Sequence, residues 1–121
     1  MVLAAINKPR QLLYLCFAGE VGVAELERGR ADLNHLLAEL SPGFRLLTDL
    51  SGLESMDVAC AREIGRVMEL CEQKGVGLVV RVIPDPAKDI GMNMLAIFHY
   101  HRRTHMTTCR TLAEAAAQLG L

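Results

Sequence analysis

Apolar positions along the chain switch period repeatedly, and the switches lay out a succession of strands and helices. Residues 2 to 6, Val-Leu-Ala-Ala-Ile, and 12 to 18, Leu-Leu-Tyr-Leu-Cys-Phe-Ala, are short apolar runs split by Asn7-Lys8-Pro9-Arg10-Gln11. Turn-forming residues between two strand-like runs predict an antiparallel hairpin. From residue 23 to 40 the period changes. Leu26, Leu33, Leu36, Leu37 and Leu40 fall on one stripe, with Glu25, Arg28, Asp32 and Glu39 largely off it, which predicts an amphipathic helix packed on a sheet. Ser41-Pro42-Gly43 should end it, since proline cannot continue the ladder and glycine accepts positive φ.

Residues 44 to 60 predict a strand running into Thr48 and Asp49, a polar loop, and a new helical pattern from Asp57. That helix extends to Gly75 with Ala61, Ile64, Met68 and Cys71 as its main stripe, widened by Val67 and Leu70, and Ser55 or Asp57 can cap its start. Gly77 to Ile83 is nearly continuous in β-branched residues, as expected of a parallel strand buried on both faces. After Pro84-Asp85-Pro86, the spacing of Ile90, Met94, Ile97, Phe98 and His101 predicts a third helix from about Lys88 to Arg103. A threonine-rich strand follows over Met106 to Arg110. The last helix opens on a Thr111-to-Glu114 capping box, with Leu112, Ala115, Ala116 and Leu119 as its apolar face. The fold class is therefore α/β, a mixed four- to five-stranded sheet with an N-terminal hairpin and about four helices.

With 121 residues, the chain is sized for one domain, residues 1–121, whose core needs no disulfide or metal. It is 51% hydrophobic and 22% charged, and no apolar run is long enough to cross a bilayer. The first residues carry no secretory-signal pattern, so a cytoplasmic location is expected. Net charge is only -1 and there are five aromatic residues, so nucleic acid is not an expected partner.

Candidate chemistry is sparse. The stretch from His99 to Arg110 is basic and free of acids, and His101, Arg102, Arg103, His105 and Arg110 form a candidate anion-binding group. His101 and His105, four apart on a helix, have a spacing able to hold zinc, but no carboxylate or cysteine completes the set. A basic helix end that complements the macrodipole accounts for the same residues. Cys16, Cys60, Cys71 and Cys109 are widely spaced without a Cys-x-x-Cys pair and read as buried thiols. Cys60, in the first turn of the second helix, offers the one route to a nucleophile, through a thiol pKa lowered by the helix dipole. Asp49 and Asp57 could form an acid pair, although aspartates at such positions usually cap or brace loops. Met92, Met94 and Met106 read as adaptable packing. No phosphate-binding glycine motif or nucleophile elbow occurs, and neither a cofactor nor a metal is expected.

With the order of elements in place, the chain resembles a STAS domain, the fold of bacterial anti-sigma factor antagonists and of sulfate-transporter tails. The resemblance rests on the strand into Asp49-Leu50-Ser51-Gly52, the helix start at Met56-Asp57, the Leu78-Val79-Val80 strand and the closing Leu112-Ala113-Glu114-Ala115-Ala116 helix. Small modules related to lipid-exchange Sec14-type proteins share this layout. In the antagonists, an aspartate at this helix start precedes two hydroxyl residues and a glycine, and the second hydroxyl is phosphorylated. Here Asp57 matches, but Val58, Ala59 and Cys60 follow, so the phosphoacceptor is missing. The resemblance implies a non-catalytic bacterial regulator that is never phosphorylated, or is modified elsewhere, at Ser51 or Ser55. It binds a protein such as an anti-sigma factor or kinase-like regulator, and could form a homodimer. The expected contact surface is Ser51, Ser55, Met56, Asp57, Val58, Ala59, Cys60 and Arg62, with Met56 and Val58 exposed and Asp57 and Arg62 setting orientation. The alternative is a small-molecule or lipid-binding module with the arginines receiving an anionic head group.

Overall fold

The computed structural model describes residues 1–83 and 105–121. Its elements in chain order are β1 (Val2–Asn7), β2 (Leu12–Phe17), β3 (Gly19–Val21), α1 (Val23–Leu37), β4 (Arg45–Asp49), β5 (Leu53–Met56), a 3-10 turn (Val58–Cys60), α2 (Ala61–Lys74), β6 (Leu78–Val82), β7 (His105–Cys109) and α3 (Leu112–Leu119). The expected helix from Lys88 to Arg103 lies outside the described residues, which hold three α-helices.

Five strands form the main sheet in the order β1-β2-β4-β6-β7. The hairpin β1–β2 is antiparallel, with Val2 opposite Phe17 and Asn7 opposite Leu12. All other pairings in it are parallel, Leu12 to Arg45, Arg45 to Leu78 and Leu78 to His105. Strand alternation sends successive residues to opposite faces. From β2, Leu13, Leu15 and Phe17 join Leu46 and Val79 beneath Leu26, Leu33 and Leu37 of α1 and Ile64, Val67, Met68 and Cys71 of α2. On the other face Leu12, Leu47, Val80 and Val82 pack with Ala115 and Leu119 of α3. This two-sided burial is why β6 reads as an unbroken apolar run.

The helix ends follow their residue chemistry. Gly75 closes α2 in the left-handed region at φ +93, where its N–H reaches the carbonyls of Cys71 and Glu72; an L side chain there would be strained and would also crowd Pro42. Thr111 Oγ1 accepts from the Glu114 N–H at 3.1 Å, and Glu114 Oε2 accepts from the Arg110 N–H, so the capping-box residues act as expected. Leu112 departs from expectation. It is 46% exposed, because the apolar face of this short helix is carried by Ala115 and Leu119.

Two short strands, β3 and β5, make a separate parallel ribbon, with Glu20 against Ser55 and Val21 against Met56. The segment expected to be only a loop after Asp49 is thus a turn at Ser51-Gly52 followed by a strand. Helices α1 and α2 are joined by charge as well as by packing. Glu63, on α2 and buried, receives Arg30 of α1 at 3.0 Å and Arg66 at 2.8 Å.

Candidate functional site

At the carboxyl end of β4 the chain turns sharply, and the turn is fixed by one carboxylate. Asp49 is buried, and its Oδ1 accepts the Ser51 N–H at 3.0 Å and the Ser51 hydroxyl at 2.6 Å, closing an Asx-type turn. Its Oδ2 accepts the Tyr14 hydroxyl at 2.9 Å. The Ser51 amide, the Ser51 hydroxyl and the Tyr14 hydroxyl are all neutral donors, so the arrangement braces a strand end. Leu50 N–H then donates to the Val82 carbonyl and Gly19 N–H to the Gly52 carbonyl, which ties the turn to β6 and to the start of β3.

Tyr14 ionises above the ordinary tyrosine value of 10.0, first because burial disfavours the phenolate, and then because Cys16 and the Asp49 carboxylate beside it do the same. The sign follows directly. A neutral phenol is favoured by the fold, so the site's contribution is fully present below the ordinary value and is lost as pH rises beyond it. We expect ultraviolet titration to show one of the two tyrosines ionising late, and Tyr14→Phe to remove that late component. An unshifted titration of Tyr14 would contradict the contact.

From Ser51 the chain runs through β5 to the helix start. Asp57 is exposed and extended, and its Oδ1 accepts the Ala59 N–H at 2.9 Å, so it caps the 3-10 turn that leads into α2. Asp49 and Asp57 therefore brace separate turns, each with its own donors, as solitary capping residues do. Val58 follows the cap with 76% of its surface exposed. Ala59 and Arg62 are exposed beside it, and Ser55 is exposed on β5.

Two solved structures resemble this architecture over nearly the whole chain. One is the anti-sigma factor antagonist SpoIIAA in its unphosphorylated form, at TM-score 0.64 and 18% identity, covering 99% of this chain and 98% of that one. The other is an uncharacterised DUF3478 protein with a SpoIIAA-like fold from Shewanella loihica PV-4, at TM-score 0.66 and 14% identity, covering 98% and 92%. This chain has a SpoIIAA-like fold. No family model and no curated protein matches the sequence. The resemblance carried by residues 49–52, 56–57, 78–80 and 112–116 is met at the level of the fold.

Within this SpoIIAA-like fold the expected contact residues divide into two sets. Ser55, Asp57, Val58, Ala59 and Arg62 reach solvent, and Ser51 is half-buried with its hydroxyl engaged by Asp49. Met56 and Cys60 do not reach it. Met56 is only 8% exposed, because pairing with Val21 in the β3–β5 ribbon turns its side chain into the main core. Cys60 is fully buried with its Sγ against the Val21 carbonyl at 3.7 Å. Burial pushes its thiol pKa up, with the Asp57 carboxylate adding to the effect, which overrides the expected lowering by the helix start and removes the nucleophile. Burial likewise raises the Cys71 thiol, to about 12, and the Cys109 thiol.

His101, Arg102 and Arg103 lie outside the described residues. His105, the first residue of β7, and Arg110, just past its last, are both exposed and lie about 16 Å apart at the rise of a strand. Among the described residues no group of three His, Cys, Asp or Glu side chains could hold a metal ion, and no helix is long and apolar enough to cross a membrane. A shallow depression of about 330 Å³ lies between the C-terminal halves of α1 and α2, lined by Leu37, Leu70, Gln73 and Lys74 among others, at the far end of α2 from Val58. Tyr14 is the site residue that sequence reasoning missed. Its contact with Asp49 spans two strands and leaves only one trace in the sequence, a hydroxyl-bearing side chain inside an otherwise apolar strand.

Proposed function

We propose that this domain is a non-catalytic, cytoplasmic regulatory module that captures a protein partner through the surface formed by Ser55, Asp57, Val58, Ala59 and Arg62. The observation that carries this reading is the exposure of Val58. A large β-branched side chain stands in solvent directly after a capped helix start, flanked by an acid and a base. An apolar centre with a charged rim suits a protein interface. The likeness to an anti-sigma factor antagonist supports a regulatory role, and an anti-sigma factor or kinase-like protein is the kind of partner this reading expects. Neither Val58 nor Ala59 can carry a phosphate, so docking here does not depend on a phosphoryl switch at those positions.

Affinity capture from cells of the source organism tests this directly. Val58→Glu and Arg62→Glu should each reduce recovery of the captured partner at least tenfold while leaving the melting temperature of the domain unchanged. Undiminished capture by both variants would move the interface to another face. A small molecule retained in native mass spectra, with no protein captured, would favour the ligand-binding alternative.

A further inference from the structure

Strand β1 is an edge whose free side is unusually open to pairing. Among the described residues it is bonded to β2 alone. The Met1 ammonium donates to the Ala18 carbonyl at 2.7 Å and the Ala18 N–H returns to the Met1 carbonyl at 2.9 Å, so Met1 and Ala18 are a doubly bonded pair. In an antiparallel ladder such pairs alternate with unbonded ones. The register then makes Leu3 with Cys16, Ala5 with Tyr14 and Asn7 with Leu12 the bonded pairs. Val2, Ala4 and Ile6 consequently aim their N–H and C=O groups away from β2, along the outer edge.

Edge strands of soluble proteins are normally blunted by charge, by proline, by a bulge or by a covering element. Residues 2–7, Val-Leu-Ala-Ala-Ile-Asn, contain no charge and no proline, and the β1–β2 register runs without a bulge. One sheet face of β1 is apolar and already anchored. Val2, Ala4 and Ile6 pack against the main core, and Gly29 lets α1 approach so closely that a Cβ there would lie 2.8 Å from Val2 Cγ1. The other face carries Leu3, 48% exposed, and Ala5, also exposed, because α3 packs over β4, β6 and β7.

We propose that this edge pairs with β1 of a second copy of the chain, antiparallel about a two-fold axis at Ala4, joining two five-stranded sheets into one. What selects a second copy is self-complementarity. With Ala4 opposite Ala4 of the second copy, Val2 meets its Ile6 and Ile6 its Val2, so all the outward backbone groups of β1 exchange bonds in one register. The smallest side chain sits on the axis, where two identical residues must face each other. On the outer face Leu3 lands opposite Ala5 of the second copy, a large-to-small pairing that covers the exposed leucines. The arrangement goes beyond the partner surface at Val58 and leaves it free. Because the two sheets run in opposite directions, the two copies present those surfaces at opposite ends.

The test combines mass with amide exchange on the full chain. Sedimentation at high micromolar concentration should give twice the chain mass, and the Val2, Ala4 and Ile6 amides should be protected from deuterium exchange although β2 does not bond them. Ala5→Lys, which places a charge on an exposed position beside the axis, should return the mass to that of one chain with an unchanged circular dichroism spectrum. Ala4→Pro, which deletes an N–H that β2 never uses, should do the same. A wild-type mass of one chain overturns the proposal. So does a two-chain mass that survives Ala5→Lys or leaves the Ala4 and Ile6 amides freely exchanging.

Discussion

Met56→Ala is expected to lower the unfolding free energy by about 2–5 kcal/mol, the range for truncating a buried methionine or leucine to alanine. Met56 sits in the main core with Val21, Leu53 and Cys60, so the truncation leaves a cavity where the β3–β5 ribbon meets the start of α2. Val58→Ala, only two positions along, should change stability by no more than about 0.5 kcal/mol, as surface substitutions do. Chemical denaturation of the two variants makes the comparison. A mild effect at Met56 would mean that the ribbon is not packed as described, and a large one at Val58 would mean that its exposure is wrong. The contrast also guards the functional test, because a loss of partner capture in Met56→Ala would report unfolding of the ribbon and say nothing about contact.

The second large effect is expected at Glu63. Its carboxylate is buried and bridges Arg30 of α1 and Arg66 of α2. Removing one member of a buried ion pair commonly costs 3–5 kcal/mol, because the remaining charge is stranded without water. Here the arginines are 33% and 44% exposed and can rehydrate. Glu63→Ala should therefore cost less than a fully buried break, about 1–3 kcal/mol. The double variant Glu63→Leu with Arg30→Leu should recover part of that loss, since apolar contact between α1 and α2 replaces the ion pair. If the double variant is no more stable than Glu63→Ala, the network contributes through something other than charge. Salt should weaken it only modestly, since the acid is shielded from solvent.

Much of the architecture was legible because each main element carries its own period. The stripe Leu26, Leu33, Leu37 and Leu40 lies in the core, the Leu78–Val82 strand is parallel and buried on both faces, and Asp57 and Thr111 cap where their side chains suit capping. The β3–β5 ribbon was not legible. Gly-Glu-Val and Leu-Glu-Ser-Met are too short to show alternation, and their pairing depends on how β4 delivers the chain across Gly52. Missing the ribbon led directly to the misplacement of Met56, which in a free loop would have reached solvent. The Cys60 expectation failed for a related reason. A helix-dipole argument assumes that water can reach the thiol, and the sequence does not tell how deeply the first turn is sunk under Val21. The Tyr14–Asp49 bond and the Arg30–Glu63 pair both join distant parts of the chain, and neither partner is distinctive where it stands.

The sheet order has a consequence for how the chain acquires its structure. Within the main sheet only β1 and β2 lie a few residues apart along the chain; Leu12 waits for Arg45, Arg45 for Leu78, and Leu78 for His105, each more than twenty residues on. Loop-closure entropy must be met before any of those parallel pairings gains its contacts, so refolding is governed by non-local encounters. During synthesis the N-terminal hairpin is complete while β4 is still unmade, and its β2 side stays open through the whole of α1. The β2 edge of the nascent hairpin thus stays unpaired until Arg45–Asp49 is made, and over that interval it is open to pairing with a neighbouring chain.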